Sequence, residues 1–168
     1  EDPIEYEIEG LKQMQVNTAR QFTFATGLRS ILRQDPDVIM VGEVRDKETA
    51  DIAIDAAVTG HLVFTTLHTI DSATAITRLN DLGVEPRRYS AALELVIAQR
   101  LIRLLCEACK KPGKPAPSEL DTLKIVPADD MRFHRAVGCD TCGGTGFYGR
   151  TGIFEILYPD ENMKQFFE

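Results

Sequence analysis

The sequence predicts an α/β domain on a parallel sheet, interrupted near its C-terminal end by a small cysteine module. Two short runs of β-forming residues, Val38-Ile39-Met40-Val41 and Leu62-Val63-Phe64-Thr65-Thr66, each lead into a stretch of helical spacing with an aspartate placed to cap it. Strand, helix, strand, helix in that rhythm makes βαβ units and a parallel sheet. The module is predicted by the cysteines, which all fall in two Cys-x-x-Cys pairs, Cys106/Cys109 and Cys139/Cys142.

Each element follows from its local pattern. Ile4, Tyr6 and Ile8 alternate, Glu9-Gly10 reads as a turn, and Met14 and Val16 resume the alternation, so two short strands are expected over residues 1–16. Residues 18–34 switch to helical spacing through Phe22, Ala25, Leu28, Ile31 and Leu32, and Asp35-Pro36 ends that helix. The uninterrupted apolar run 38–41 suits a strand buried on both faces of a parallel sheet. Asp46 is placed to cap a helix over 47–58 that stops at Gly60, and Asp71-Ser72 to cap another that ends at Gly83. Residues 89–105 read as further helix or strand. Residues 110–117 are rich in Lys, Pro and Gly, and 138–152 are glycine-rich, so the module is expected to hold little helix. Strand character returns at 151–157, and a final helix is expected over 162–167. The boundaries read as an α/β core over 1–105, the cysteine module over 106–142 and a return to the core over 143–168.

A formal net charge of −7 argues against a nucleic-acid-binding surface, which normally shows a basic face. No segment approaches the ~18 consecutive apolar residues of a membrane span. The acidic start, with neither a basic n-region nor an apolar h-region, gives no sign of a signal peptide. The expected location is therefore cytoplasmic or peripheral to a membrane. The chain opens on Glu1 inside a patterned segment and reads as part of a longer protein.

A two-residue spacing lets both thiolates of a pair turn toward one ion, and two pairs complete the tetrahedral sulfur shell that Zn²⁺ prefers. Gly138, Gly143 and Gly144 flank the second pair, as knuckle turns require. The 29 residues between Cys109 and Cys139 exceed the usual ribbon spacing. Two disulfides or a redox Cys-x-x-Cys are the alternatives, and both fit a cytoplasmic four-cysteine protein less well. With four thiolates the site would be structural, leaving no open position for chemistry.

In open parallel sheets, ligands bind beyond the C-terminal ends of the strands. The first strand ends in Gly42-Glu43, which resembles a Walker B segment whose glutamate polarises an attacking water. A solvated acid at a strand end is the other reading, and Gly42 stands where an aspartate is usual. The second strand ends in Thr66-Leu67-His68, a histidine placed either to contact a phosphate or simply to satisfy its own polarity. His61 precedes that strand, at its opposite end. Arg29 and Arg33 are four apart and share a helix face. With Arg45 they could bind phosphate through guanidinium forks, or form local ion pairs with Asp35 or Glu43.

Together these segments resemble one family. Glu1-Asp2-Pro3-Ile4-Glu5 is similar to its Asp box. The stretch from Leu28 through Arg33, Asp35, Asp37, Gly42 and Glu43 to Arg45-Asp46 is similar to its atypical Walker B region. Thr59-Gly60-His61 through His68-Thr69 is similar to its His box, and Ala98-Gln99-Arg100-Leu101, the four cysteines and Gly149-Arg150-Thr151-Gly152 complete the pattern. This is the type II/IV secretion ATPase superfamily, in the branch of secretion ATPase E and the pilus extension ATPase.

The resemblance implies the C-terminal half of a RecA-like P-loop ATPase domain with an inserted tetracysteine zinc module. It implies a homohexameric ring that hydrolyses ATP with Mg²⁺ at the inner membrane, working with a membrane platform protein and a cytoplasmic docking protein to drive protein export or pilus assembly. Glu43 would be the catalytic glutamate, Glu1 an acid at the nucleotide and magnesium, and His68 a γ-phosphate contact. Arg29, Arg33, Arg45 and Arg150 would belong to charged clusters near the nucleotide or a subunit boundary. Gly42 is usual in this family. No Gly-x-x-x-x-Gly-Lys-Ser/Thr loop occurs in the chain, so by itself it is expected neither to bind ATP tightly nor to turn it over. Two other readings stand beside this one: a zinc-stabilised docking module without hydrolysis, and a retraction-type pilus motor, which by resemblance lacks the cysteines.

Overall fold

A computed structural model describes residues 1–167 of the chain. The chain divides into two compact units, one formed by Glu1–Ala98 with the segment from Glu155 onward, the other by Gln99–Phe154.

The first unit opens irregularly. No ladder forms over residues 1–16, contrary to the two expected strands. Glutamine side chains take the place of a strand partner: Gln13 Oε1 accepts from the Ile8 amide at 2.8 Å, and Gln13 Nε2 donates to the Tyr6 carbonyl at 2.9 Å. Gln15 Oε1 accepts from the Ile4 amide at 3.2 Å. With these amides satisfied locally, Tyr6 and Ile8 stay exposed.

The helix expected over 18–34 is broken. Thr18–Arg20 is a single 3₁₀ turn capped by Asn17, Gln21 takes a left-handed φ of +56°, and Thr23 restarts the chain as the cap of α1 (Phe24–Leu32). β1 (Val38–Val41) follows. Asp46 caps α2 (Lys47–Val58), accepting from the Thr49 amide at 2.8 Å and the Thr49 hydroxyl at 3.1 Å. Gly60, at φ +104°, turns the chain back into β2 (Leu62–Thr65), where a side chain would be strained. His61 is occupied structurally, its Nδ1 lying 2.9 Å from the Ala56 carbonyl. β1 and β2 pair in parallel, Val38 opposite Leu62 and Val41 opposite Thr65. This is the βαβ unit the sequence predicts.

Asp71 caps α3 (Ser72–Asp81), and Pro86 opens α4 (Pro86–Ala92), where its missing N–H costs nothing. Residues 89–105 thus resolve into the end of α4 and β3 (Val96–Leu105). Ile39 and Val41 of β1 pack with Leu28, Val44, Ala50, Ala53, Ile54, Leu79, Val84 and Tyr89 in one apolar core. Burying these side chains contributes roughly 1.5–3 kcal/mol for each large one. Only one face of β1 is covered among the described residues: Val38 and Met40 remain 56% and 62% exposed. The strand is therefore one-sided here, where burial on both faces was expected.

In the second unit, β4 (Lys111–Pro112) pairs antiparallel with β5 (His134–Arg135), and α5 (Pro117–Leu123) lies between them in sequence. α5 is helix in a module expected to have little, started by Pro117 and by Glu119, which accepts from the Ala116 amide at 2.6 Å. β6 (Phe147–Leu157) pairs with β3 and begins four residues before the expected start. It returns the chain to the first unit, where α6 (Glu161–Phe167) closes on α4 with the Tyr89 and Phe167 rings 5.8 Å apart. No helix among the described residues is long and apolar enough to cross a membrane.

Candidate nucleotide site and metal centre

The segments that follow β1 and β2 are stitched together. The Thr66 hydroxyl donates to the Gly42 carbonyl at 2.7 Å, and the Val44 amide donates to the Thr66 carbonyl at 3.1 Å. This places Glu43 and His68 side by side, with His68 Nε2 3.0 Å from Glu43 Oε2. The other Glu43 oxygen, Oε1, accepts from the Arg45 guanidinium, which also reaches Asp2 Oδ2 at 3.5 Å. Glu43 is 8% exposed, whereas the His68 side chain is 81% exposed. The Arg45 hydrogen bond pulls the Glu43 carboxyl below the ordinary glutamate value; burial opposes it and His68 reinforces it. The group is therefore ionised at neutral pH.

Glu1 lies against the same strand end. Its carbonyl accepts from the Val16 amide at 2.9 Å, and Gln13 Nε2 reaches its carboxylate at 3.3 Å. A methyl group on Gly42 would lie 3.4 Å from the Glu1 Cα. Glycine at 42 leaves that space to the backbone of residue 1.

Arg29 and Arg33 have other partners. Arg29, on α1, pairs with Glu48 at 2.6 Å, and Arg33, at the C-cap of that helix, reaches Ser30 Oγ at 3.4 Å; both are exposed. Arg150 is an exposed residue of β6 in the second unit. Three contributors went unnoticed in the sequence. Asp2 holds Arg45, Thr66 ties the strand ends, and Glu155 accepts from Ser72 at the start of α3. Asp2 had a signal as part of the Glu1–Glu5 run and Thr66 as part of the stretch ending in His68, whereas Glu155 had none.

In the second unit, Cys106, Cys109, Cys139 and Cys142 bring their sulfurs within 4.8 Å of one another. Cys106–Cys139 and Cys109–Cys142 are 3.9 Å apart and Cys139–Cys142 3.8 Å. These separations far exceed the ~2.05 Å of a disulfide. They match the edge, about 3.8 Å, of a tetrahedron with metal–sulfur bonds of about 2.3 Å. The donor set thus fits a metal ion. The knuckles supply N–H groups as well: Gly138 donates to Cys109 Sγ at 3.3 Å, and Cys139 and Gly146 donate to Cys142 Sγ at 3.2 and 3.1 Å. Burial raises the Cys142 thiol, but the two amides, helped by Cys139 and Cys109, bring it down to about 6. At Cys109 the Gly138 amide is outweighed by burial and the three neighbouring thiols, which push it up to about 11. Gly138, at φ +111°, passes so close to the Gly144 carbonyl that a Cβ there would sit 2.5 Å from its oxygen.

The first unit is a βαβ core with an ionised glutamate at a strand end, and the second carries a four-sulfur cluster that fits a metal ion. The chain belongs to the type II/IV secretion system protein family, whose model matches residues 1–168. It is 54% identical over 164 residues to the type II secretion system protein E of Pseudomonas aeruginosa, covering 98% of this chain and 33% of that protein. It is 54% identical over 166 residues to the type IV pilus assembly ATPase PilB of Thermus thermophilus, covering 98% of this chain and 19% of that one. Among solved structures it resembles the pilus retraction motor PilT with bound ADP, at a TM-score of 0.62 and 32% identity over 99% of this chain and 39% of PilT. The fold is accordingly the C-terminal half of a RecA-like ATPase domain carrying a tetracysteine module. The chain spans about a third or less of the length of the curated relatives it matches.

Proposed function

We propose that this chain is the C-terminal part of the ATPase module of a motor that powers type II protein secretion or type IV pilus assembly. The Glu43 carboxylate carries the reading: it is buried at a strand end, ionised, and held between Arg45 and His68. That is the place and state required of a group that polarises water for attack on a terminal phosphate. Glu1, against the same strand end, would be the acid that holds Mg²⁺, and His68 would contact the γ-phosphate. When bound, Mg²⁺ neutralises charge on the phosphate oxygens. Each Glu43 oxygen accepts one hydrogen bond here and keeps a second lone-pair site with which to accept from a water. Of its two partners, His68 is largely exposed, whereas Arg45 is also held by Asp2.

Arg45 serves the nucleotide end of the cluster, and Arg29, Arg33 and Arg150 serve charged contacts near the nucleotide or between subunits. Cys106, Cys109, Cys139 and Cys142 hold a structural Zn²⁺. The full protein is a homohexamer at the cytoplasmic face of the inner membrane, acting with a platform protein and a cytoplasmic docking protein. The tetracysteine cluster supports an export or extension motor over a retraction motor. Lacking the phosphate-binding loop, the 168-residue chain alone is inactive.

The test is ATP turnover by the full-length protein with and without Glu43→Gln, at matched metal content and oligomeric state. A loss of ~10²-fold or more is expected for removal of a general base. No hydrolysis by the wild-type hexamer would overturn the motor reading in favour of a docking module.

A further inference from the structure

His68 stands on a short bridge between β2 and α3, and the bridge is moored at both ends. At the β2 end the mooring is Thr66, through its bonds to Gly42 and Val44. At the α3 end it is Ser72, 1% exposed, whose amide (3.2 Å) and hydroxyl both donate to one carboxylate oxygen of Glu155. Glu155 lies 83 residues away in sequence, on the returning strand β6.

This contact is not needed to start α3. Asp71 already caps the helix, accepting from the Thr74 amide at 2.7 Å, while the Asp71 amide lies 3.3 Å from the Thr74 hydroxyl. A second acid adds little to helix initiation. It does settle where the first turn of α3 sits, because a carboxylate at a helix N-terminus is favoured both by the free N–H groups and by the helix dipole. It also satisfies a buried hydroxyl that would otherwise lack a partner. Only three residues separate Ser72 from His68.

We propose that Glu155 is a positioning residue for His68: by holding Ser72, it fixes the α3 end of the bridge and so the reach of the imidazole toward Glu43 and the nucleotide. The inference rests on the catalytic reading of Glu43 and His68 given above. Glu155 touches no reacting atom. Its effect passes through His68, and misplacement by about 1 Å is enough to slow a reaction up to ~10²-fold.

The experiment uses the full-length protein and combines Glu155→Ala, Glu155→Gln and His68→Ala with hydrogen exchange over residues 69–72. Glu155→Ala should lower kcat at least ~10-fold while the KM for ATP stays within about 2-fold. Glu155→Gln, which keeps an oxygen acceptor, should restore most of that loss. In the His68→Ala background, Glu155→Ala should cost nothing further, because two residues acting as one unit are not additive. Amides 69–72 should exchange faster in Glu155→Ala. If that variant does not assemble, Ser72→Ala removes the hydroxyl half of the contact and takes its place in the same cycle. Unchanged kcat, or losses that multiply across the His68→Ala background, would overturn the proposal. Glu43→Gln, run alongside, separates the two readings. If it hydrolyses ATP like wild type, the catalytic reading fails; if it is dead while Glu155→Ala is normal, only the positioning role fails.

Discussion

The hydroxyl of Thr66 donates to the carbonyl of Gly42 at 2.7 Å, and this bond joins the two strand ends that carry Glu43 and His68. It adds to the parallel ladder at the point where the ladder stops, since Val41 opposite Thr65 is its last pair. Replacing Thr66 with valine keeps the shape and removes the donor. A loss of about 1 kcal/mol is expected. In hydrogen exchange, the Val44 amide, which donates to the Thr66 carbonyl, should then open ~5-fold more readily.

Glu43 should stay ionised to lower pH than an ordinary glutamate. Its folded pKa is depressed below 4.5, with Arg45 as the main cause. The pairing therefore stabilises fully above the ordinary value and is lost as pH falls through the depressed one. A carboxyl carbon NMR titration of the full-length protein should place the Glu43 midpoint below the ordinary glutamate value. Arg45→Ala should move it upward, and a midpoint that does not move would show that Arg45 is not the cause.

The cysteine cluster should carry a single metal ion per chain. Elemental analysis of freshly purified protein is expected to find zinc, and chelation should unfold the second unit while leaving the β1–β2 core folded. Cys142→Ser should reproduce the effect of chelation, because it removes a buried sulfur that accepts from two backbone amides.

Neighbouring residues on β1 should respond very differently to truncation. Ile39 is 2% exposed in the core, so Ile39→Ala should cost ~2–5 kcal/mol. Met40, 62% exposed, should tolerate alanine within about 0.5 kcal/mol in this chain. Denaturant unfolding of the two variants measures the contrast.

The elements legible in the sequence are those whose signals are local. α2 runs over the expected residues because Asp46 closes one end and Gly60 the other. The meeting of the two strand ends followed from the βαβ pattern. What escaped depended on partners far along the chain or on uncommon backbone. Nothing in residues 1–16 announces that Gln13 and Gln15 side chains will replace a strand. Gln21 in a left-handed turn splits a helix whose apolar spacing runs straight through it. Glu155 reads as one polar residue in an apolar strand until its 83-residue reach to Ser72 is seen. The ion pair of Arg29 with Glu48 joins two helices whose packing sequence spacing alone does not give.

The one-sided burial of β1 and β2 bears on the fate of the chain in a cell. Val38, Met40, Leu62 and Phe64 are each more than half exposed and belong to one paired ribbon. Short extended apolar segments in this state are what chaperones grip and degradation machines select. A chain carrying this uncovered face on its own would therefore be bound by such factors or associate with itself.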